Sequence, residues 1–149
     1  MTEPSASNDC FNLSRFVAAQ DGEYETALAE LKRGAKRTHW MWFVFPQVAG
    51  LGTSHMAVKY AIGSREEAEA YLKHPVLDLR LRECAEALLG VEGRTAREVM
   101  GSPDDVKLQS SMTLFAAVAE AGSVFQQVLN RYFAGESDPR TVDFLDTNR

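Results

Sequence analysis

The chain has 149 residues, 45% of them hydrophobic and 25% charged, a length for one domain and a composition that argues against disorder and low-complexity scaffolding. Sixteen Lys and Arg face 21 Asp and Glu, a formal net charge of −5, so broad binding to nucleic acid or to an anionic membrane surface is not expected. Cys10 and Cys84 lie far apart without ligand spacing, which argues against a structural zinc site and for reduced thiols.

The opening MTEPSASNDC has neither the basic nor the apolar region of a secretory signal. It is expected to be a disordered lead over 1–10, ahead of a single domain over 11–146. Leu13, Phe16 and Val17 then fall at i, i+3 and i+4 behind Asn12 as N-cap, and Asp21-Gly22 ends the segment. Tyr24, Ala27, Leu28 and Leu31 repeat the helical spacing up to Gly34. The next stretch breaks the pattern: Lys36, Arg37 and His39 run into Trp40-Met41-Trp42-Phe43-Val44-Phe45-Pro46-Gln47. The run is too short for its period to separate a buried helix from an extended strand. It is also far short of the roughly 20 apolar residues of a spanning helix, so no membrane segment is expected and the chain reads as cytoplasmic.

Gly50-Leu51-Gly52-Thr53-Ser54 turns the chain into a further helix. Ser64 with Glu67, and Thr95 with Glu98, match the capping box. Ala68, Tyr71 and Leu72 line the first of these helices up to His74-Pro75. Pro75 then opens a helix whose face carries Leu77, Leu81, Cys84, Ala85 and Leu88 up to Gly90. Ser102-Pro103-Asp104-Asp105 predicts the start of the longest helix, with Leu108, Met112, Phe115 and Ala119 as its core line and Gly122 as its stop. Val124, Phe125, Val128, Leu129 and Tyr132 form another amphipathic face, and Asp138-Pro139 caps a last turn. With no convincing strand alternation, the chain is expected to be an all-α single compact domain of about eight short helices.

Three long motifs in order, His39 to Gln47 with Gly50-Leu51-Gly52, His74-Pro75-Val76-Leu77 with Arg80 to Cys84, and Ser102 to Leu108 with Ser110 to Phe115, resemble the bacterial domain-of-unknown-function family 1810. The resemblance runs from about Phe11 to Leu145 and implies a mainly helical fold. Some members carry the label calpastatin, but calpastatin proper is a disordered inhibitor, whereas this chain has the apolar content and caps of a packed domain. The resemblance implies no catalytic residue and no substrate.

The expected site is a pocket lined by Arg37, His39, Trp40, Trp42, Gln47 and Ser111. Two indoles beside cationic groups suit a ring carrying an acid, with Arg37 reaching a phosphate or carboxylate. The competing use of the same rings is as core, with His39 a structural histidine. Gly50 to Ser54 offers amides and hydroxyls to an anion but lacks the lysine of a Walker loop and the spacing of a dinucleotide fingerprint. Lys107, Ser110 and Ser111 fall at i, i+3 and i+4 on the long helix, with Thr113 beside Ser110, and could bind an acid or serve close helix packing. His55 and His74 match no metal-ligand spacing, and neither metal nor cofactor is expected. The leading expectation is binding of a small anionic, nucleotide-like ligand. Catalysis stays open, with His39 as the candidate acid or base because its ordinary pKa lies nearest neutrality. The alternative is a protein interaction module in which exposed rings of Trp40 to Phe45 dock a partner or a second copy of the chain, a homo-oligomer.

Overall fold

Ten helices follow one another between residues 9 and 147, the residues this computed structural model describes. They are α1 (Ser14–Asp21), α2 (Tyr24–Arg33), α3 (Met41–Val44), α4 (His55–Lys59), α5 (Arg65–Lys73), α6 (Pro75–Leu89), α7 (Ala96–Met100), α8 (Asp104–Val118), α9 (Val124–Phe133) and α10 (Pro139–Thr147). The fold is all-α and a single domain. Among the described residues the only extended pairing is a parallel bridge between Val48 and Ile62. The count exceeds the expected eight or so chiefly because α3, of four residues, is too short to leave a periodic signature. Of the expected disordered lead, residues 1–8 lie outside the described residues.

Local chemistry explains most of the boundaries. Ser54, Ser64 and Ser123 each accept a backbone N–H three residues on, and Thr95 with Glu98 closes a full capping box. At Ser64 the box is half formed. Glu67 sends one oxygen to the Gly63 N–H (2.9 Å) and the other to Arg15 (2.9 Å). His74, with no sequence-assigned role, caps α6 by accepting from the Val76 and Leu77 N–H groups at Nδ1.

Three termini depart from expectation. Asn12 is not the N-cap of α1. It sits at φ 54°, and Asp9 reaches over it to accept the Leu13 and Ser14 N–H groups. At α8 it is Pro103, after a cis peptide, that occupies the cap position, with no side-chain bond from Ser102. The same helix ends at Val118, before the expected stop at Gly122, because Ala119 is already extended at ψ 177°.

The two fifteen-residue helices α6 and α8 organise the core. Both α5 and α9 pack against each of them, α2 covers α6, and α7 and α10 cover α8. Leu108, Met112 and Phe115 are fully buried, as the spacing predicts, each stabilising the fold by about 1.5–3 kcal/mol relative to exposure. A ladder of rings joins the layers: Phe16 to Tyr71 (5.2 Å), Tyr71 to Phe115 (5.1 Å) and Phe115 to Phe125 (5.8 Å). Surrounded by neighbours, α8 buries every residue from Ser110 to Phe115. Its small Ser110 and Thr113 meet the start of α10 at that close approach. No helix among the described residues is long and apolar enough to cross a membrane.

Candidate functional site

The apolar run that the sequence left undecided is a single helical turn, α3, followed by extended chain through Pro46 to the Val48–Ile62 bridge. Burial decides its role. Trp40 and Phe45 are fully buried, and Met41, Phe43 and Val44 are at most 5% exposed, so the run is core and only Trp42 stays half-buried.

Glu30, on α2, organises the basic segment before it, and nothing in the sequence singled this residue out. The carboxylate is 4% exposed. Its Oε1 accepts from the Arg37 N–H (2.9 Å), the Thr38 N–H (3.1 Å) and the Trp40 indole N–H (2.9 Å), while Oε2 accepts from the Thr38 hydroxyl (2.7 Å). Burial alone would raise its pKa, but these hydrogen bonds outweigh it and hold the carboxyl down at about 2. The consequence for the predicted site is direct. Arg37 gives its backbone to Glu30 and leaves its side chain exposed, as is His39.

Lys36 is drawn inward instead. Its side chain is 6% exposed, with Nζ 2.9 Å from Asp104, 2.6 Å from the Thr38 carbonyl and 4.9 Å from the centre of the Trp40 ring. Asp104 also faces Lys107 at 3.6 Å, and Lys107 lies 5.7 Å from the centre of the Trp42 ring. Two lysines thus share one carboxylate, leaving a surplus positive charge beside the half-buried indole.

Lys107 also opens onto a groove of about 440 Å³ lined by Gln47, Leu51 to Ser54, Ala57, Pro103, Val106, Lys107, Ser110, Asp138 and Arg140. One wall is the Gly50 to Ser54 turn, and the other is the α8 face with the start of α10. Gly50 adopts φ 93°, which favours glycine, and a Cβ on Gly52 would lie 2.7 Å from that of Ala57. Arg140 fixes the turn through the Gly50 carbonyl (3.1 Å). Arg15 fixes the returning chain through the carbonyls of Lys59 and Ala61 (both 2.8 Å). At the floor, Asp138 caps α10 while Ser110 donates to it from α8 (3.1 Å).

Of the sequence-predicted residues, Gln47 lines the groove, and Trp42 stands beside it through Lys107. Trp40 is sealed in the core, while Arg37 and His39 stay on the surface outside the lining. Ser111 is fully buried and is not part of the groove lining, its hydroxyl without a hydrogen bond. The features brought together are the two read as secondary, the Gly50 to Ser54 turn and the Lys107 with Ser110 face. Lys36, Asp104, Asp138 and Arg140 complete them. No group of three or more His, Cys, Asp or Glu among the described residues is arranged to hold a metal. Cys84 is fully buried, and burial pushes its thiol up to about 12, which keeps it protonated and unreactive at neutral pH.

The architecture is shared with a solved structure. The conserved hypothetical protein Rv1873 from Mycobacterium tuberculosis is 51% identical, with a TM-score of 0.89 over 91% of this chain and 97% of that one. No curated protein matches. The model of a family described as a protein of unknown function, DUF1810, matches residues 10–145, and this helical chain belongs to that family.

Proposed function

We propose that the groove between the Gly50 to Ser54 turn and α8 binds a small anionic ligand, a class that includes nucleotides and sugar phosphates. The observation that carries this reading is Lys107. Asp104 is already engaged at 2.9 Å by the buried Lys36, so the looser contact of Lys107 at 3.6 Å leaves its ammonium with donors to offer across the groove. Arg140 adds a second cation to the lining, and Gln47, Thr53 and Ser54 add neutral donors. A volume of about 440 Å³ lies toward the lower end of the roughly 300–1,000 Å³ of small-molecule sites, which favours one small molecule over an extended dinucleotide.

The interface alternative has less support, because the rings that would form an exposed patch are buried at Trp40, Phe43 and Phe45. A thermal-shift screen of nucleotides, sugar phosphates and carboxylates tests the ligand reading. A binder at 100 times its dissociation constant should stabilise the fold by about 2.7 kcal/mol. Lys107→Met should weaken that binder by about 1.5–3 kcal/mol, the range for a hydrogen bond to a charged group, while the variant still melts cooperatively. A screen without a hit, or a binder indifferent to Lys107→Met, would sink the proposal.

A further inference from the structure

Asp138 does more than a helix cap requires. The residue is 9% exposed and lines the groove, yet its two oxygens differ sharply. Oδ2 accepts three hydrogen bonds, from the Ser110 hydroxyl (3.1 Å), the Thr141 N–H (3.1 Å) and the Thr141 hydroxyl (2.5 Å). The backbone is fixed as well, since the Asp138 N–H donates to the Thr113 hydroxyl (2.9 Å). Among the described residues no hydrogen bond reaches Oδ1. That oxygen is not sealed in the core either, because the one buried side-chain polar atom without a partner is the Ser111 hydroxyl. The carboxylate is therefore held by one oxygen, and the other is left without a donor among the described residues in a side chain that lines the groove.

An ionised carboxylate only accepts hydrogen bonds, and it repels a phosphate or a second carboxylate. A groove for a bare anion has no use for one on its floor. The pairing of Asp138 with Lys107 and Arg140 in one lining calls for a ligand with an acid at one end and hydrogen-bond donors at the other. The rest of the polar lining, Gln47, Thr53, Ser54 and Ser110, is neutral and supplies no second anion to hold a cationic group, which points to hydroxyls rather than an ammonium.

We infer that Asp138 is a ligand-recognition residue whose free oxygen accepts hydrogen bonds from the hydroxyls of a polyol phosphate of sugar-phosphate type, the phosphate lying toward Lys107 and Arg140. This inference rests on the anion-binding reading of the groove and specifies its ligand class.

The test is calorimetric titration of the full chain with ribose 5-phosphate, glucose 6-phosphate and glycerol 3-phosphate, against methyl phosphate, inorganic phosphate and glycine. At least one hydroxylated phosphate should bind at least about tenfold more tightly than methyl phosphate, the factor for one charge-assisted hydrogen bond. In Asp138→Asn, which keeps a capping side chain, that advantage should shrink to about twofold or less while methyl phosphate binds no more weakly. The wild-type protein, labelled at its aspartate carboxyl carbons, gives a readout that needs no variant. The Asp138 resonance should move with the hydroxylated phosphate and stay in place with methyl phosphate. Equal binding of all phosphates, dependent on Lys107 but indifferent to Asp138→Asn, overturns this inference and leaves the anion site standing. Glycine bound through Asp138 would replace the hydroxyl assignment with an ammonium one. If no phosphate binds, this inference falls, and the anion reading is decided by the nucleotide and carboxylate arms of the thermal-shift screen.

Discussion

Two buried carboxylates, Glu30 and Asp138, show how alike a structural and a recognition group look until their oxygens are followed one by one. Both are nearly inaccessible, at 4% and 9% exposure, and both gather donors from more than one residue. Glu30 is closed: its four donors engage both oxygens and tie α2 to the chain that leads into α3. Asp138 is open: three donors converge on one oxygen, and the other has none among the described residues, in a side chain that lines the same groove as Lys107 and Arg140. A fully satisfied buried carboxylate holds a fold together, whereas a half-satisfied one at a cavity wall has capacity left for something else.

The sharpest way to break this contrast is to remove the closed member. Glu30→Ala strands the buried Trp40 indole N–H and takes the acceptor from two part-buried backbone N–H groups, and should cost roughly 3–5 kcal/mol in denaturant unfolding, in the range of a broken hydrogen-bond network. A loss below about 1 kcal/mol would show that water replaces the carboxylate, and the distinction between the two acids would collapse.

Acid titration gives the next largest effect. Glu30 is held at about 2, below its ordinary 4.5, so its stabilising contribution is complete above about pH 4.5 and is lost as the pH falls toward 2. The loss approaches roughly 3 kcal/mol at 1.36 kcal/mol per pH unit. Glu30→Gln should flatten that segment of the stability curve. An unchanged curve would assign the acid sensitivity to other carboxylates.

The open member should respond weakly in the same assay. Asp138→Asn preserves a side chain able to cap α10, so the expected loss is about 1 kcal/mol or less, with its main consequence in ligand discrimination. A large unfolding penalty would make Asp138 as structural as Glu30. The smallest effect belongs to Arg37→Ala, expected within about 0.5 kcal/mol of the parent, because Glu30 binds the Arg37 backbone and the side chain is exposed. A change in ligand affinity from that variant would extend the site beyond the groove.

The uneven legibility of these groups has a physical basis. Ser64, Thr95 and Pro75 mark their helix starts because a cap is satisfied within three residues, and such short loops leave a local signature. Leu108, Met112 and Phe115 are readable because one helix face repeats every three to four residues. Lys107 and Ser110 share a face for the same reason, and the glycines of the Gly50 to Ser54 turn are visible as chain-reversal chemistry. Glu30 carries no such mark. It stands next to Leu31 on an ordinary amphipathic helix, and three of its donors, at Thr38 and Trp40, lie eight to ten residues away. The indoles mislead for a related reason: a tryptophan beside cations suits both a stacking wall and a core, and only packing against the other helices fills Trp40 in.

The sequence by itself therefore determined the all-α class, most helix boundaries and the core line of α8, since each depends on interactions closed within a turn or two of chain, and its three motifs carried the family resemblance. The tertiary structure decided which polar groups meet. Lys36 finds Asp104, the Ser110 hydroxyl finds Asp138, and the Arg140 guanidinium finds the Gly50 carbonyl across 90 residues. These encounters have no local period, because each is set by the packing of α8 against α7 and α10 and by the course of the chain between them.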